Sequence, residues 1–391
     1  MIEVKDAIKL IEENVSVSDI KKTELNRCLN YVLADDIKSP IHLPPFRQSA
    51  MDGYAIKISD SKVYKVVGES KTGHPAPIQI NEDEAVRIFT GAQVPDTADT
   101  VVIQEHVEVN DNKITIHKLP EKKANIRKVG EQIKKNEVAL LKGHVINEAS
   151  IGFLAGMGID GVKIYKKPRV CIITTGDELI EPGKKLKPGK IYESNSIMLK
   201  VALKRLKITK VGIFKVKDTL EKTKDVIKKC LKKYDVLLIS GGISVGDYDY
   251  VKEAMEVNNI HEIFYKVNQK PGKPLYFGKK KNQVVFALPG NPASSLTCFY
   301  IYVLPALRKM MGYSNIHLTK KKVKAPEEIP NNTGKSLFLK ASAGNNKIKI
   351  LEGQSSSILK SFAHSNALLY ISSENKIVRK GEIVEYFDLN F

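Results

Sequence analysis

The sequence has 391 residues, 42% of them hydrophobic, with 63 lysines and arginines against 44 acids and a formal net charge of +19. That length exceeds one ordinary hydrophobic core and predicts two to four domains, while the apolar content excludes wholesale disorder. No apolar run approaches the ~20 residues that span a bilayer, and the excess charge is scattered lysine without an aromatic-rich basic ribbon, so neither a membrane nor nucleic acid is the expected partner.

The chain opens on a helical pattern, Val4, Ala7, Ile8 and Ile11. A second helical stretch is expected from Lys22 to Leu33, then an extended exit through His42–Pro45. No leader is read ahead of the first helix, so the expected location is the cytoplasm. Residues 46 to about 130 alternate short β-rich runs with turns, at Tyr64–Val67, Ala85–Phe89, Thr100–Gln104 and Lys113–His117, which predicts a small all-β module. Strand-like Val138–Leu141 and an apolar helix, Ala149–Met157, follow.

From Pro168 strands and helices alternate. The expected strands are Arg169–Thr175, Ile208–Val216, Asp235–Ser240, Glu262–Lys266 and Val284–Leu288. The expected helices are Ser194–Leu206, capped by Ser194 or Asn195, then Leu220–Lys233, about Tyr248 to Val257, and one long helix, Ala293–Met311. This pattern means βαβ units and a mostly parallel sheet covered on both faces. The tail is β-rich again at Ser336–Lys340, Lys347–Leu351, Ala367–Ile371 and Glu382–Phe387. Cys28, Cys171, Cys230 and Cys298 lie far apart without a Cys-x-x-Cys and read as reduced, buried small hydrophobes.

Four turn-like stretches carry the chemistry. Thr174–Glu178, Ser240–Asp249 and Leu288–Pro292 each close a strand, and Lys270–Pro274 is a stiff turn with two ammonium groups. Loops at the carboxyl ends of parallel strands are where an open α/β sheet binds its ligand. Asp177 and Glu178 can hold a hard metal with waters, or form a plain surface turn. The Ser240–Asp249 loop offers glycine N–H groups to an anion and Asp247 or Asp249 to Mg²⁺; its Gly242-Ile243-Ser244-Val245-Gly246 also matches a serine nucleophile elbow. Adjacent acids and the lack of a supported histidine base argue against that hydrolase reading. Lys270 and Lys273 suit an oxyanion or phosphate, against a solvated basic loop. Asn291 and Pro292 equally describe an ordinary helix start. Asp52-Gly53 reads locally as a hairpin turn.

Taken together, these stretches resemble one family closely. Pro45-Phe46, Ser49–Ala55, Arg87–Ala92 with Val94-Pro95, Gly130-Glu131, Thr175–Leu179, Ser194–Ser196, the Ser240–Asp249 loop, Lys270–Pro274 and Leu288–Pro292 follow, in order, the pattern of the molybdopterin molybdenumtransferase family, which includes MoeA and the gephyrin E domain. The resemblance implies a multidomain α/β fold of four domains: a discontinuous first domain (1–45 and 131–166), a β-rich second (46–130), a parallel-sheet α/β molybdopterin-binding third (167–313) and a C-terminal β-barrel (314–391). It implies insertion of molybdate into adenylylated molybdopterin with release of AMP, Mg²⁺ as cofactor, and an elongated homodimer whose active cleft lies between subunits. Molybdopterin adenylyltransferase and acceptor molybdoenzymes are the further partners it suggests.

Residue by residue, the resemblance assigns Asp177, Glu178, Asp218 and Asp249 to Mg²⁺ and water. It assigns Ser244, Lys270, Lys273, Pro274, Lys340 and Ser356 to the molybdate region, and Pro289, Asn291 and Pro292 to the loop beside the pterin. Asp52 and Thr90 correspond to positions of the second domain that face the partner's site. Three departures stand out: Gln132 where the family usually has an acid, Lys340 where an arginine is usual, and Thr219 after Asp218, where an acid or amide is common; they imply weaker metal affinity with function retained. Two other enzymes fit parts of the chain: molybdopterin adenylyltransferase, which resembles the α/β region alone, and the serine hydrolase. A non-catalytic scaffold is a further reading.

Overall fold

The computed structural model describes residues 1–74, 77–243 and 250–390. At its centre is a six-stranded sheet in the order Val211–Val216, Val170–Thr175, Val236–Ser240, Gln283–Leu288, Tyr276–Lys280, His261–Tyr265. The first four strands pair in parallel, and Tyr276–Lys280 pairs antiparallel with both of its neighbours. The expected mostly parallel sheet is therefore mixed, and the strand Tyr276–Lys280 was not expected at all. Val170–Thr175 and Val236–Ser240 are buried at every position, as strands covered on both faces must be. Each Ile or Leu placed there contributes about 1.5–3 kcal/mol of burial. Two apolar clusters flank the sheet, one under the helices Asn195–Arg205 and Pro292–Met310, the other under Leu220–Leu231 and Val251–Val257.

A second six-stranded sheet orders Thr100–Ile103, Gly53–Ile56, Glu84–Ile88, Val63–Ser70, Lys113–Ile116, Val107–Asn110, with one parallel pair, Val63–Ser70 against Glu84–Ile88. A third runs Gln269–Lys270, Ser336–Gly344, Ala367–Ile371, Ile383–Asp388, Lys320–Lys324, with Lys347–Ile350 branching from Ser336–Gly344. The expected C-terminal barrel is seen as far as this sheet. Its first member matters for function: Gln269 and Lys270 pair in parallel with Ser336 and Leu337, which ties the lysine loop to the C-terminal sheet.

Two helical expectations are corrected. Lys22–Leu33 is not a helix: Ile20–Glu24 is a strand paired antiparallel with Gly161–Tyr165, followed by a 3₁₀ turn at Leu25–Arg27. A partner some 140 residues away overrides the local pattern. The long helix Ala293–Met311 is three segments, α at Pro292–Cys298, π-type at Phe299–Val303, and α at Leu304–Met310. Pro305, without an N–H and with a ring that crowds the preceding turn, accounts for the widened turn before it. The lysines Lys320–Lys322 lie in an edge strand, where repeated lysine blocks pairing with another chain. All four cysteines are free and buried, and no helix of the described residues is long and apolar enough to cross a membrane.

Candidate active site

A cavity of about 1110 Å³ opens at the carboxyl ends of the parallel strands. Gly176 follows Val170–Thr175, Gly241 and Gly242 follow Val236–Ser240, and Pro289–Asn291 follows Gln283–Leu288; all line it. The glycines are structural necessities. Gly241 and Gly242 have φ of +93° and +62°, and a Cβ on either would stand within 2.8 Å of Thr175. Gly290 passes beneath the same turn, its Cβ position 3.7 Å from the Gly241 Cα. Three strand ends are thus packed backbone against backbone, which fixes the floor of the cavity.

Asn195 staples that floor. Its Nδ2 donates to Ser240 Oγ at 2.8 Å and to the Gly290 carbonyl at 2.7 Å. Asn195 Oδ1 and Thr175 Oγ1 are buried in the cavity lining without hydrogen-bond partners among the described residues, polar atoms that a bound group would satisfy. Ser194 stands at the helix N-terminus as expected, yet its side chain does not cap; Glu193 does that work, accepting from the Ser196 N–H and hydroxyl at 2.8 and 2.5 Å.

The acids stand at one side. Glu178 and Asp218 line the cavity, and Asp218 Oδ2 accepts the Asp177 N–H at 3.1 Å. Asp177 itself is not in the lining. Among the described residues no three carboxylates, histidines or cysteines gather tightly enough to enclose a metal ion. Ser244 and Asp249 lie outside the described residues.

Two cations come from the other edge of the sheet and a third from the turn ahead of Ser336–Gly344. Lys270, Lys273 and Lys335 line the cavity, and none is ion-paired with an acid among the described residues. The Lys270–Pro274 loop is held by Gln269, which is buried and donates to the Pro271 and Gly272 carbonyls at 3.0 and 3.3 Å while its Oε1 accepts the Tyr302 hydroxyl. Gly272, at φ +94°, lies so close to Cys298 and Gln269 that a Cβ would sit 2.6 Å from the sulfur. Pro274, Pro289, Asn291, Pro292 and Ser356 complete the predicted lining residues.

Asn291 is the N-cap of the helix Pro292–Cys298, with Pro292 in its first turn, as the sequence suggests. Its side chain does not cap. It donates to Ser356 Oγ at 2.9 Å, and Ser294 N donates to the Ser356 carbonyl at 3.3 Å. The α/β sheet and the C-terminal sheet are thereby joined across the cavity.

Lys340 is corrected. The side chain is 1% exposed, absent from the cavity lining, and its ammonium donates to the carbonyls of Gly353, Ser355 and Ile358 at 2.6, 3.1 and 3.0 Å. All three donors are used, so it holds the loop carrying Ser356 and has none left for an oxyanion. Burial pushes its pKa below the ordinary value.

Asp52 and Thr90 lie outside the cavity lining and are exposed. Asp52 Oδ1 accepts from Thr90 N at 2.6 Å and from its hydroxyl at 2.7 Å. Those two bonds, with Arg87 nearby, hold its carboxyl below the usual range. Arg87 stacks on Tyr54 and Phe89 and donates to the Gly53 carbonyl. Gln132 is exposed and also off the cavity. The reading of the sequence missed Gln269, Glu193 and Lys335. Gln269 and Lys335 carried no signal beyond their nearness to recognised stretches.

Three family models cover most of the chain: MoeA N-terminal region (domain I and II) over residues 2–158, a probable molybdopterin binding domain over 171–309, and MoeA C-terminal region (domain IV) over 322–389. The chain is 34% identical over 389 residues to the molybdopterin molybdenumtransferase of Haemophilus influenzae, covering 96% of this chain and 95% of that one. It is 34% identical over 398 residues to the enzyme of the same name from Staphylococcus epidermidis, at 98% and 94% coverage. Among solved structures, a molybdopterin biosynthesis MoeA protein of Pyrococcus horikoshii matches with TM-score 0.85 and 29% identity, each chain fully covered.

Proposed function

The chain belongs to the molybdopterin molybdenumtransferase (MoeA) family, transferases of molybdenum cofactor biosynthesis, and on that premise we propose that its cavity binds adenylylated molybdopterin and molybdate, inserts the metal into the dithiolene and releases AMP. The observation that carries this reading is the polarity of the cavity, with Lys270 and Lys273 from one edge of the sheet, Lys335 beside them from the C-terminal sheet, and Glu178 and Asp218 from the other edge. A tetrahedral oxyanion and a diphosphate fit those two halves.

In this reading Lys270 and Lys273 hold the oxyanion through charge-assisted hydrogen bonds. The Ser356 oxygen already accepts from Asn291, so its own proton is free to donate to an oxyanion oxygen. Ser244 joins them from outside the described residues. Pro274, Pro289 and Pro292 stiffen the walls, and Lys340 keeps Ser356 in place. Magnesium fits the acidic half, since it takes one or two carboxylates and fills its shell with water and substrate phosphate; Asp177, Glu178, Asp218 and Asp249 are the proposed donors. Bound there, it would neutralise the diphosphate as the phosphoanhydride breaks.

We place Asp52 and Thr90 at the cavity of a second copy in a homodimer. Their exposure, their absence from their own chain's cavity and the depressed Asp52 pKa support this. The proposed domains are 1–45 with 131–166, 46–130, 167–313 and 314–391, in a cytoplasmic protein that takes substrate from molybdopterin adenylyltransferase and passes product to molybdoenzymes. The adenylyltransferase and hydrolase readings are not favoured, because the family match extends over the N- and C-terminal regions as well.

The test is AMP release by the purified chain from adenylylated molybdopterin. Release that depends on molybdate and Mg²⁺ is expected. Release indifferent to molybdate, or ATP-dependent adenylylation of molybdopterin, would overturn the proposal.

A further inference from the structure

A second cavity, of about 610 Å³, lies at the amino ends of the same parallel strands. Arg169, Lys210, Asp235 and Asn282 line it from just ahead of the strands Val170–Thr175, Val211–Val216, Val236–Ser240 and Gln283–Leu288. The molybdopterin cavity occupies the opposite ends of those strands, so the two are separated by the length of the sheet.

The lining holds six cations, Lys21, Lys166, Lys167, Arg169, Lys207 and Lys210, against two acids, Asp19 and Asp235. Both acids are already engaged. Asp19 pairs with Lys166 at 3.1 Å, and Asp235 takes Arg169 in a two-point bridge at 2.8 and 3.1 Å. Lys21, Lys167, Lys207 and Lys210 have no carboxylate partner among the described residues. Two of them converge on one ring: the Lys167 ammonium stands 4.5 Å from the Tyr31 centroid and that of Lys21 stands 5.1 Å from it. A phenol face compensates an ammonium only weakly. Partial burial and the charge of Lys207 depress the Lys167 pKa to about 8, as expected where like charges crowd in a recess.

We propose that this recess is a binding site for a phosphate chain, a di- or triphosphate carried either as the free inorganic anion or on a nucleoside. Four unpaired ammonium groups around a bounded hollow match the several oxygens of such a chain, and ammonium suits it as a point-charge partner. A recess of this volume takes a compact ligand; a nucleic acid strand needs a continuous groove with successive stacking platforms.

The experiment is calorimetric titration of the full chain with inorganic tripolyphosphate, with ATP in a parallel arm, both without metal. Binding that survives Lys270→Gln with Lys273→Gln belongs to the second recess. Replacing Lys167 and Lys210 together by Gln is expected to weaken that binding by about tenfold or more, since each removes a charge-assisted hydrogen bond, while AMP release stays near the parent value and the ligand-free thermal midpoint does not fall. A control pair on the C-terminal sheet, Lys347→Gln with Lys349→Gln, should leave it unchanged. Equal affinity for both ligands assigns recognition to the phosphates alone; tighter ATP binding adds the nucleoside. Unaltered binding after the Lys167 and Lys210 changes, equal weakening in the control pair, or displacement of tripolyphosphate by single-stranded RNA at lower concentration would each overturn the proposal.

Discussion

Asn291 Nδ2 donates to Ser356 Oγ at 2.9 Å, linking the last parallel strand's loop to the C-terminal sheet across the mouth of the cavity. The bond fixes the direction of the Ser356 hydroxyl proton. Asn291→Ala removes the donor and lets that hydroxyl rotate. Because Asn291 is exposed and its side chain does not cap the helix, the thermal midpoint should barely move, while turnover falls by about tenfold, less than the 10²–10³ seen when a direct oxyanion donor is lost. An AMP-release assay beside a melting curve measures both. A large stability loss with unchanged turnover would assign Asn291 to the fold.

Lys270 and Lys273 are exposed cations held on a loop whose backbone is fixed from below by Gln269. Lys270→Gln or Lys273→Gln keeps the loop and removes one charge-assisted bond, worth about 1.5–3 kcal/mol, or roughly ten- to hundredfold. The loss should appear in the molybdate dependence of AMP release. Gln269→Leu should lower stability and activity together, because the Pro271 and Gly272 carbonyls and the Tyr302 hydroxyl lose their partner.

Lys340 separates a cation's location from its task. Lys340→Met fits the aliphatic stem but leaves the carbonyls of Gly353, Ser355 and Ile358 without their shared donor. Losing it from a buried site should cost about 1–3 kcal/mol, read as a lower denaturant midpoint. Weaker molybdate use should follow as the Ser356 loop loosens. Lys340→Arg retains donors and should cost less. If Lys340→Met left stability intact but abolished molybdate binding, the lysine would contact the substrate directly.

Composite sites across a homodimer can be tested by mixing. If Asp52 serves the other subunit's cavity, Asp52→Asn and Lys270→Gln chains each keep only a small fraction of parent activity as pure dimers. After exchange, half of the dimers are mixed, and each carries one site with both native residues, so about a quarter of parent activity should return. No recovery would place Asp52 in its own chain's site. Thr90→Val should raise the Asp52 pKa toward the ordinary carboxyl value by deleting the hydroxyl bond while the Thr90 N–H bond remains.

These residues also show which parts were legible beforehand. Gly176, Gly241, Gly242, Gly272 and the prolines of 289–292 punctuate strand ends, and that punctuation is local, so the cavity's loops could be read directly. The role of Asn195 could not. It was visible as a helix cap, but its partners Ser240 and Gly290 are 45 and 95 residues away. Lys340 was visible as a cation, whereas the three carbonyls that accept its hydrogen bonds belong to a loop whose path depends on the sheet. The misread helix at Lys22–Leu33 has the same cause, since its first residues are claimed by Gly161–Tyr165. Patterns report what a segment favours alone; they are silent on what packs against it.

Lys167 gives the pH prediction. Its ammonium faces Lys21, Lys166, Arg169, Lys207 and Lys210, the ring of Tyr31, and the engaged carboxylates of Asp19 and Asp235. Its pKa falls from 10.5 to about 8 on folding, through burial first and Lys207 second. Between those values the unfolded chain binds the proton and the folded chain does not, so stability rises with pH across that interval. The penalty of a crowded charge is therefore fully present below pH 8 and fades toward 10.5. Lys167→Met, which keeps the stem and deletes the charge, should raise the thermal midpoint at pH 7. The gap between variant and parent should close as the pH approaches 10. Tripolyphosphate should raise the parent's midpoint at pH 7 and the variant's much less, because the ligand supplies the countercharge that the fold withholds. A variant less stable than the parent at pH 7 and equal to it at high pH would reverse the sign, making the ammonium a net stabiliser held by Tyr31.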